Sequence, residues 1–227
     1  YIADTIMIQV QSRVHTNKKR TIKMGKHKVF ISYHHANDQY YKNALEKMNE
    51  EHEIFVNRSV SLGDIDEDEA PQKIREIIRD EYLRDTSVLI LLVGTETKNR
   101  KHVDWELYSS MRDSTINKKS GILVVNLPST NTTYIRSTHG TNEKSEVHPT
   151  VTEWFSIDKR STYEERFPYM PARIIDNFMK SGSYISVVNW NQIENNPETL
   201  RKLIDMTYND REKATYDMSR EMRMHNS

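Results

Sequence analysis

The sequence predicts an α/β fold in which a five-stranded parallel sheet is covered by helices on both faces. Strand and helix patterns alternate from residue 28 onward, and the strand candidates are apolar almost throughout. The helix candidates between them repeat apolar residues at the spacing of an amphipathic helix. Strands that are apolar on both sides are typical of parallel sheets buried between helices, and the intervening helices provide the crossovers that parallel strands need.

Five apolar segments are the candidate strands. The third segment is the most apolar and ends at Gly94, and the fourth is stopped by Pro128. The segments cover residues 28–33, 53–56, 87–94, 121–127 and 184–190.

Five further segments have the apolar periodicity of helices. Two of them begin at prolines, Pro71 and Pro171, which suit the first turn of a helix. The segment that starts at Pro71 extends to residue 82, and Gly182 follows the end of the one that starts at Pro171. The other three cover residues 38–50, 100–115 and 197–208.

These elements predict one domain at residues 26–220, with a charged tail at 221–227. Residues 1–25 form a basic N-terminal extension without a sustained apolar period, and we expect it to be mobile, with Met24 as the natural start. Residues 128–170 are rich in Ser, Thr and Asn and form a long connection for a compact domain. A lid over the site and a structural insertion both fit this region.

Composition excludes several classes of function. Lys plus Arg number 33 and Asp plus Glu also number 33, so no net charge favours nucleic acid or an anionic membrane. The chain has no cysteine, which excludes disulfides, thiol catalysis and cysteine-ligated zinc. Its longest apolar run is six residues, whereas a membrane span needs about 20. We expect a cytoplasmic protein without nucleic-acid or membrane partners.

Common nucleotide motifs are also absent from the sequence. None of the six glycines is spaced as GxGxxG, a P-loop or a GxSxG elbow. The adjacent pair His34 and His35 raises the alternative of a metal site, but neighbouring residues at a strand end point in opposite directions. The acidic residues 64–69 lack the alternation of a calcium loop and fit a solvated segment better. The prediction is a site without metal.

Glu106 is the candidate that remains. Val103, Leu107, Ser110 and Met111 define the buried face of the third predicted helix, and at about 100° per residue Glu106 falls on the flank of that face. Burial there would raise the pKa of the carboxyl unless a cation or hydrogen bonds hold it ionised. A catalytic carboxylate and a structural ion pair are both open, and the basic neighbours available for pairing are Arg100, Lys101 and Arg112.

Ligands of open α/β sheets bind beyond the carboxyl ends of the strands. The site should therefore use side chains that follow the strands. These are expected in residues 32–38, 57–64 and 94–99, and in the segment after Asn126.

Several motifs occur in a fixed order along the chain. Val29–Tyr33 contains FISY at the first predicted strand, and Gly94–Arg100 followed by Trp105–Glu106 leads into the predicted helix that carries the carboxylate. These motifs resemble those of the bacterial TIR-like branch found in Thoeris anti-phage defence. Residues 77–83 and 216–220 also resemble stretches of this branch. One departure is that many eukaryotic TIR enzymes have the tryptophan several residues earlier.

The resemblance spans about residues 26–220 and implies a flavodoxin-like TIR fold. It implies an enzyme that cleaves NAD at the nicotinamide–ribose bond and makes a cyclic ADP-ribose-type signal. NAD would be a substrate, no cofactor would be needed, and the expected partners are a downstream effector activated by the product and further copies of the chain. The alternative is a non-catalytic TIR-like signalling module in which Glu106 pairs with a basic neighbour.

The resemblance also implies the site residues. The catalytic residue would be Glu106, and Tyr33 and Trp105 would either stack on a ring of the substrate or pack in the core. The implied substrate-binding residues are Ser32, Tyr33, His34, Asp38, Arg58, Ser59 and Trp105.

Overall fold

The described strands form one parallel sheet in the order β2-β1-β3-β4-β5. The computed structural model describes residues 26–59, 73, 83, 85–114 and 118–226. The strand order is that of flavodoxin-like folds, so the expected fold class is confirmed. The strands are β1 Lys28–Ser32, β2 Val56–Asn57, β3 Val88–Val93, β4 Gly121–Asn126 and β5 Ser186–Asn189.

The strand order reverses between β1 and β3, and this is the point where such folds open a ligand crevice. Ser32 at the end of β1 pairs in register with Leu91. Gly94 follows the last residue of β3. The ends of β1 and β3 therefore border the same crevice.

Six α-helices lie in the described part of the chain. The first helix begins at His35, whereas the sequence predicted a start at residue 38. The helix predicted at residues 100–115 ends at Met111. The apolar stripe begins only after the polar first turn of the first helix, so periodicity missed its start. Apart from residue 73, the helix predicted from Pro71 lies outside the described residues. The helices are α1 His35–His52, α2 Lys101–Met111, α3 Gly140–Val147, α4 Arg160–Arg166, α5 Ala172–Met179 and α6 Pro197–Asp210.

Each face of the sheet carries its own apolar core. Val29 and Ile31 point to the face that packs against α1 and α6. Phe30 and Leu91 point to the opposite face, where α2 and α5 pack. This alternation explains why the central strands are apolar on both sides. No helix among the described residues has both the length and the apolar character to cross a membrane.

The connection at residues 128–170 is more regular than the sequence indicated, since α3 and α4 both lie within it. Both helices are short, with seven or eight residues, and few of their side chains are buried. Glu143 is fully buried and accepts hydrogen bonds from the backbone N–H groups of Thr138 and His139, both at 2.8 Å, and from Ser186 Oγ on β5 at 3.0 Å. These bonds fasten the connection to the edge of the sheet.

Residues 211–226 return along α2 and α5. Fully buried Arg173 donates to the carbonyls of Arg220 at 2.9 Å and Glu221 at 3.0 Å. The Asn226 side chain accepts from the backbone N–H of Lys101 at 2.9 Å. The charged tail is therefore bonded to the domain as far as its last described residue.

Candidate functional site

Glu106 and Ser32 meet beyond the carboxyl end of β1. Both are buried, with 3% of Glu106 and 1% of Ser32 exposed. Ser32 Oγ lies close enough to lower the pKa of Glu106, yet it makes no hydrogen bond of full geometry within the described part of the chain. A carboxyl and a hydroxyl with spare bonding capacity therefore stand together at the crevice.

Burial controls the charge of Glu106. Loss of solvent raises the pKa of this carboxyl to about 8, and the Ser32 side chain opposes the change only in part. No Lys or Arg of the described residues forms an ion pair with it. At neutral pH the free protein therefore holds Glu106 mainly as the neutral acid. A cationic ligand beside it would favour the ionised form and release the proton.

Tyr33 is electrostatically coupled to Glu106. Its hydroxyl donates to Gln39 Oε1 at 2.7 Å, and its ring stacks on His35 with centroids 4.4 Å apart. Burial raises the pKa of Tyr33, Gln39 lowers it, and the charges of Glu46 and Glu106 raise it further. The ring already has one stacking partner, so it forms part of the wall at the start of α1.

His34 connects β1 to α1. Its carbonyl accepts the backbone N–H of Asp38 at 2.9 Å, which begins the helix. Burial lowers the pKa of His34, and the nearby positive charge of Arg100 adds to that effect. Its Nδ1 is buried without a hydrogen bond to any described residue. A neutral imidazole with a spare nitrogen can therefore contact a polar ligand.

Asp38 is packed against Gly94. A Cβ added at Gly94 would lie 2.5 Å from Asp38 Oδ1, so this position accommodates only glycine without movement. Thr97 Oγ1 donates to Asp38 Oδ2 at 3.4 Å and accepts the N–H of Gly94 at 2.8 Å. Burial raises the pKa of Asp38 to about 6, and the Thr97 hydrogen bond lowers it. These contacts tie the start of α1 to the end of β3.

Arg58 and Ser59 lie along the outer side of β1, after β2. The N–H of Arg58 donates to the carbonyl of Val29 at 2.8 Å, and its side chain is exposed. Ser59 Oγ accepts the N–H of Ile31 at 2.9 Å, in place of a strand carbonyl. The Ser59 hydroxyl therefore extends the sheet, and the structure does not bring either side chain into contact with Glu106.

Trp105 occupies the core on the side of α2 that faces the tail. It is 3% exposed, and its Nε1–H donates to the carbonyl of Arg223 at 2.7 Å. The charge of Lys101 lies over its ring at 5.3 Å. Of the two alternatives that the sequence left open, these contacts favour core packing for Trp105.

Sequence reasoning missed a second acidic centre on the same helix. Arg173 Nε donates to Asp104 Oδ1 at 2.8 Å, and its NH2 group donates to Oδ2 at 3.0 Å. The N–H of Arg223 adds a third bond to this carboxylate at 2.8 Å. The available signal was an arginine beside the apolar stripe of α5, because a buried arginine requires an anionic partner.

The fold and this arrangement define a class: an α/β domain of TIR-like topology with a buried carboxyl at its β1/β3 crevice. Residues 30–132 match the family model described as Thoeris protein ThsB, TIR-like domain. The match supports a Thoeris-type TIR-like domain over this stretch, so the resemblance in sequence motifs is confirmed. The match begins in β1 and includes Glu106 and Gly94. No curated protein matches the chain.

Proposed function

We propose that the chain is an NAD-cleaving TIR-like enzyme that releases nicotinamide and makes a cyclic ADP-ribose-type signal in anti-phage defence. The observation that carries the proposal is the state of Glu106, a buried carboxyl beside Ser32 at the end of β1 with no cation of the described residues paired to it. Perturbed acids in such places are frequent at functional sites. A structural ion pair, as the signalling-module alternative requires, finds no partner among the described residues.

The reaction fits one carboxyl. The bond between ribose C1′ and the nicotinamide nitrogen breaks, its electron pair goes to that nitrogen, and nicotinamide leaves as a neutral molecule. The ribosyl carbon becomes oxocarbenium-like, as in glycoside cleavage. Because the nicotinamide ring of NAD is cationic before cleavage, no general acid is needed.

Glu106 acts by its charge in this proposal. The cationic nicotinamide ring ionises the carboxyl as NAD binds, and the carboxylate then stabilises the positive charge that develops on the ribose. The Ser32 hydroxyl donates to the carboxylate or to a ribose oxygen. Capture of the ribosyl carbon by water gives ADP-ribose, and capture by a hydroxyl of the same molecule gives a cyclic product; each capture releases one proton.

The test is nicotinamide release from NAD by the full chain, followed by mass analysis of the product. Glu106→Gln keeps the size and removes the charge, so we expect the rate to fall by at least about 100-fold. Glu50→Gln makes the same change at an exposed position of α1 and should retain the wild-type rate. Equal rates for Glu106→Gln and wild type would refute the assignment.

Product mass separates the two captures. A cyclic product is lighter than ADP-ribose by one water. If wild-type protein releases nicotinamide but yields only ADP-ribose, the proposed NAD cleavage would stand and the proposed cyclisation would be wrong. Protein that leaves NAD intact, alone and in cells challenged with phage, would favour the signalling module.

A further inference from the structure

The largest of three cavities described for this chain lies at the β5 edge of the sheet. It has a volume of about 860 Å³, against about 420 and 210 Å³ for the other two. Volumes of 300–1,000 Å³ are usual for small-molecule sites. Its walls come from residues 133–138, 151, 153–157 and 178–184, together with side chains of α3 and α4 and with Phe167.

Seven of the residues that line this edge cavity are aromatic. Three of the six large apolar side chains that are exposed in the described part of the chain line it: Tyr134, Phe155 and Met179. Clustering of exposed apolar groups marks a binding surface more often than scattered ones do. Trp154 also lines the cavity, and its half-buried indole presents a flat surface there.

Two cations stand over these rings. The ammonium group of Lys144 lies 4.9 Å from the ring centre of Trp154, and the guanidinium of Arg166 lies 4.9 Å from that of Tyr134. Neither cation has an ion pair with a carboxylate of the described residues. Glu153 is the only carboxylate among the lining residues, which include four basic side chains. The cavity therefore carries positive charge that its own walls do not neutralise.

Two buried hydroxyls in the walls lack partners. Ser183 is 1% exposed, and its Oγ makes no hydrogen bond within the described residues. Ser137 Oγ is likewise buried and unbonded there, and both serines line the cavity. Buried polar groups are rarely left unsatisfied, so each hydroxyl is available to hydrogen bond to a water or to a ligand in the cavity.

We propose that the edge cavity is a nucleotide-binding site, separate from the Glu106 crevice. The base stacks on the aromatic wall, the phosphates contact Lys144 and Arg166, and Ser137 and Ser183 hydrogen bond to polar atoms of the ligand. Stacking of bases on aromatic rings and charge-assisted bonds to phosphate are the interactions that such a wall provides. Strands β3 and β4 stand between β5 and β1, so none of the cavity's lining residues belongs to the crevice.

The test is titration of the full chain with ADP, followed by calorimetry and by the fluorescence of Trp154. ADP has no nicotinamide to lose, so the result does not depend on NAD cleavage. We expect Lys144→Gln/Arg166→Gln to weaken ADP binding at least about 10-fold. Adenosine, which has no phosphate, should bind more weakly than ADP. The double variant should leave the affinity for adenosine unchanged.

The matched control is Lys47→Gln/Arg112→Gln, which removes the same two charges at exposed positions. It should bind ADP as wild type does. Glu106→Gln should also retain ADP binding, which separates this site from the NAD site. Trp154→Phe should abolish the ADP-dependent fluorescence change, because the other tryptophans are buried in the cores.

Two outcomes would overturn the proposal. One is wild-type protein that does not bind ADP with a Kd below about 1 mM, which corresponds to only about 4 kcal/mol. The other is equal ADP affinity in the double variant and its matched control, which would place the nucleotide elsewhere. Thermal unfolding of each variant establishes that a loss of binding occurs in folded protein.

Discussion

Helix α2 carries two buried carboxyls only two residues apart, and their surroundings differ completely. Asp104 receives two bonds from the fully buried Arg173 and one from the backbone of Arg223. No Lys or Arg of the described residues forms an ion pair with Glu106, and burial raises the pKa of this carboxyl to about 8. The first carboxyl is neutralised and fastens the tail, whereas the second keeps its capacity for a ligand.

The comparison shows how one helix serves both stability and chemistry. A buried charge is costly unless it is paired, so the ion pair of Asp104 is a structural solution. An unpaired carboxyl avoids the cost by remaining protonated, which makes its charge responsive to a cation in the crevice. Four substitutions test this division.

The largest effect should come from breaking the pair. Arg173→Met keeps much of the side-chain volume but leaves Asp104 buried without its cation. We expect the free energy of unfolding to fall by about 3–5 kcal/mol, since removal of one partner strands the other charge. Urea unfolding at neutral pH measures the change. Lys47→Met is the control, because Lys47 is 77% exposed in its side chain and its ion pair with Glu51 is long, at 4.0 Å.

The Lys47 variant should show no measurable change in stability. If Arg173→Met were as stable as that control, the buried pair would not fasten the tail. Asp104 would then have no structural role that distinguishes it from Glu106.

At Glu106 we expect a substitution to raise the free energy of unfolding instead of lowering it. Its pKa rises from 4.5 in the unfolded chain to about 8 in the folded one, so the folded protein holds the proton more tightly. Stability from this group is complete below about pH 4.5 and is lost as the pH rises towards about 8. Glu106→Gln removes the loss, and we expect it to stabilise the protein by roughly 4 kcal/mol at pH 8.

The pH dependence provides the check. The gain from Glu106→Gln should grow between pH 5 and pH 8 and stay level above it, as measured by urea unfolding across that range. A gain that does not change with pH would mean that Glu106 is ionised throughout, with a cation that the described residues do not include.

A third buried carboxyl, Asp38, is held by shape. In Gly94→Ala the new methyl group would lie 2.5 Å from Asp38 Oδ1, and the carboxyl must move within a closed core. We expect a loss of about 1–3 kcal/mol in the free energy of unfolding. Gly94→Ala in an Asp38→Ala background should cost much less, because the clashing atoms are gone. Equal costs in both backgrounds would show that the strain arises elsewhere.

The sequence predicted the parts of this arrangement that depend on local pattern. Apolar periodicity identified Val103 and Leu107 as buried in α2, and both are. The position of Ser32 at a strand end predicted its place at the crevice. These predictions hold because the periods of helices and strands determine which side chains share a face.

The other half of the arrangement depends on contacts between distant parts of the chain. Arg173 and Asp104 are 69 positions apart, and each resembles an ordinary surface charge in its own segment. The same holds for Trp105, whose indole bonds to a carbonyl 118 positions away. Periodicity describes one helix against the sheet, so it could not show that α5 and the tail cover the remaining sides of α2.

The smallest predicted effect concerns the hydroxyl beside Glu106. The Ser32 side chain lowers the pKa of this carboxyl, so Ser32→Ala should move the pKa above about 8. The loss of stability with rising pH should then continue to a higher pH than in wild type, as urea unfolding between pH 7 and pH 10 would show. Ser183→Ala removes an equally buried hydroxyl, 1% exposed, and should leave the midpoint of that loss unchanged. Identical midpoints in all three proteins would mean that Ser32 does not interact with Glu106. Burial alone would then set the pKa of Glu106, whereas Asp104 on the same helix is fully paired.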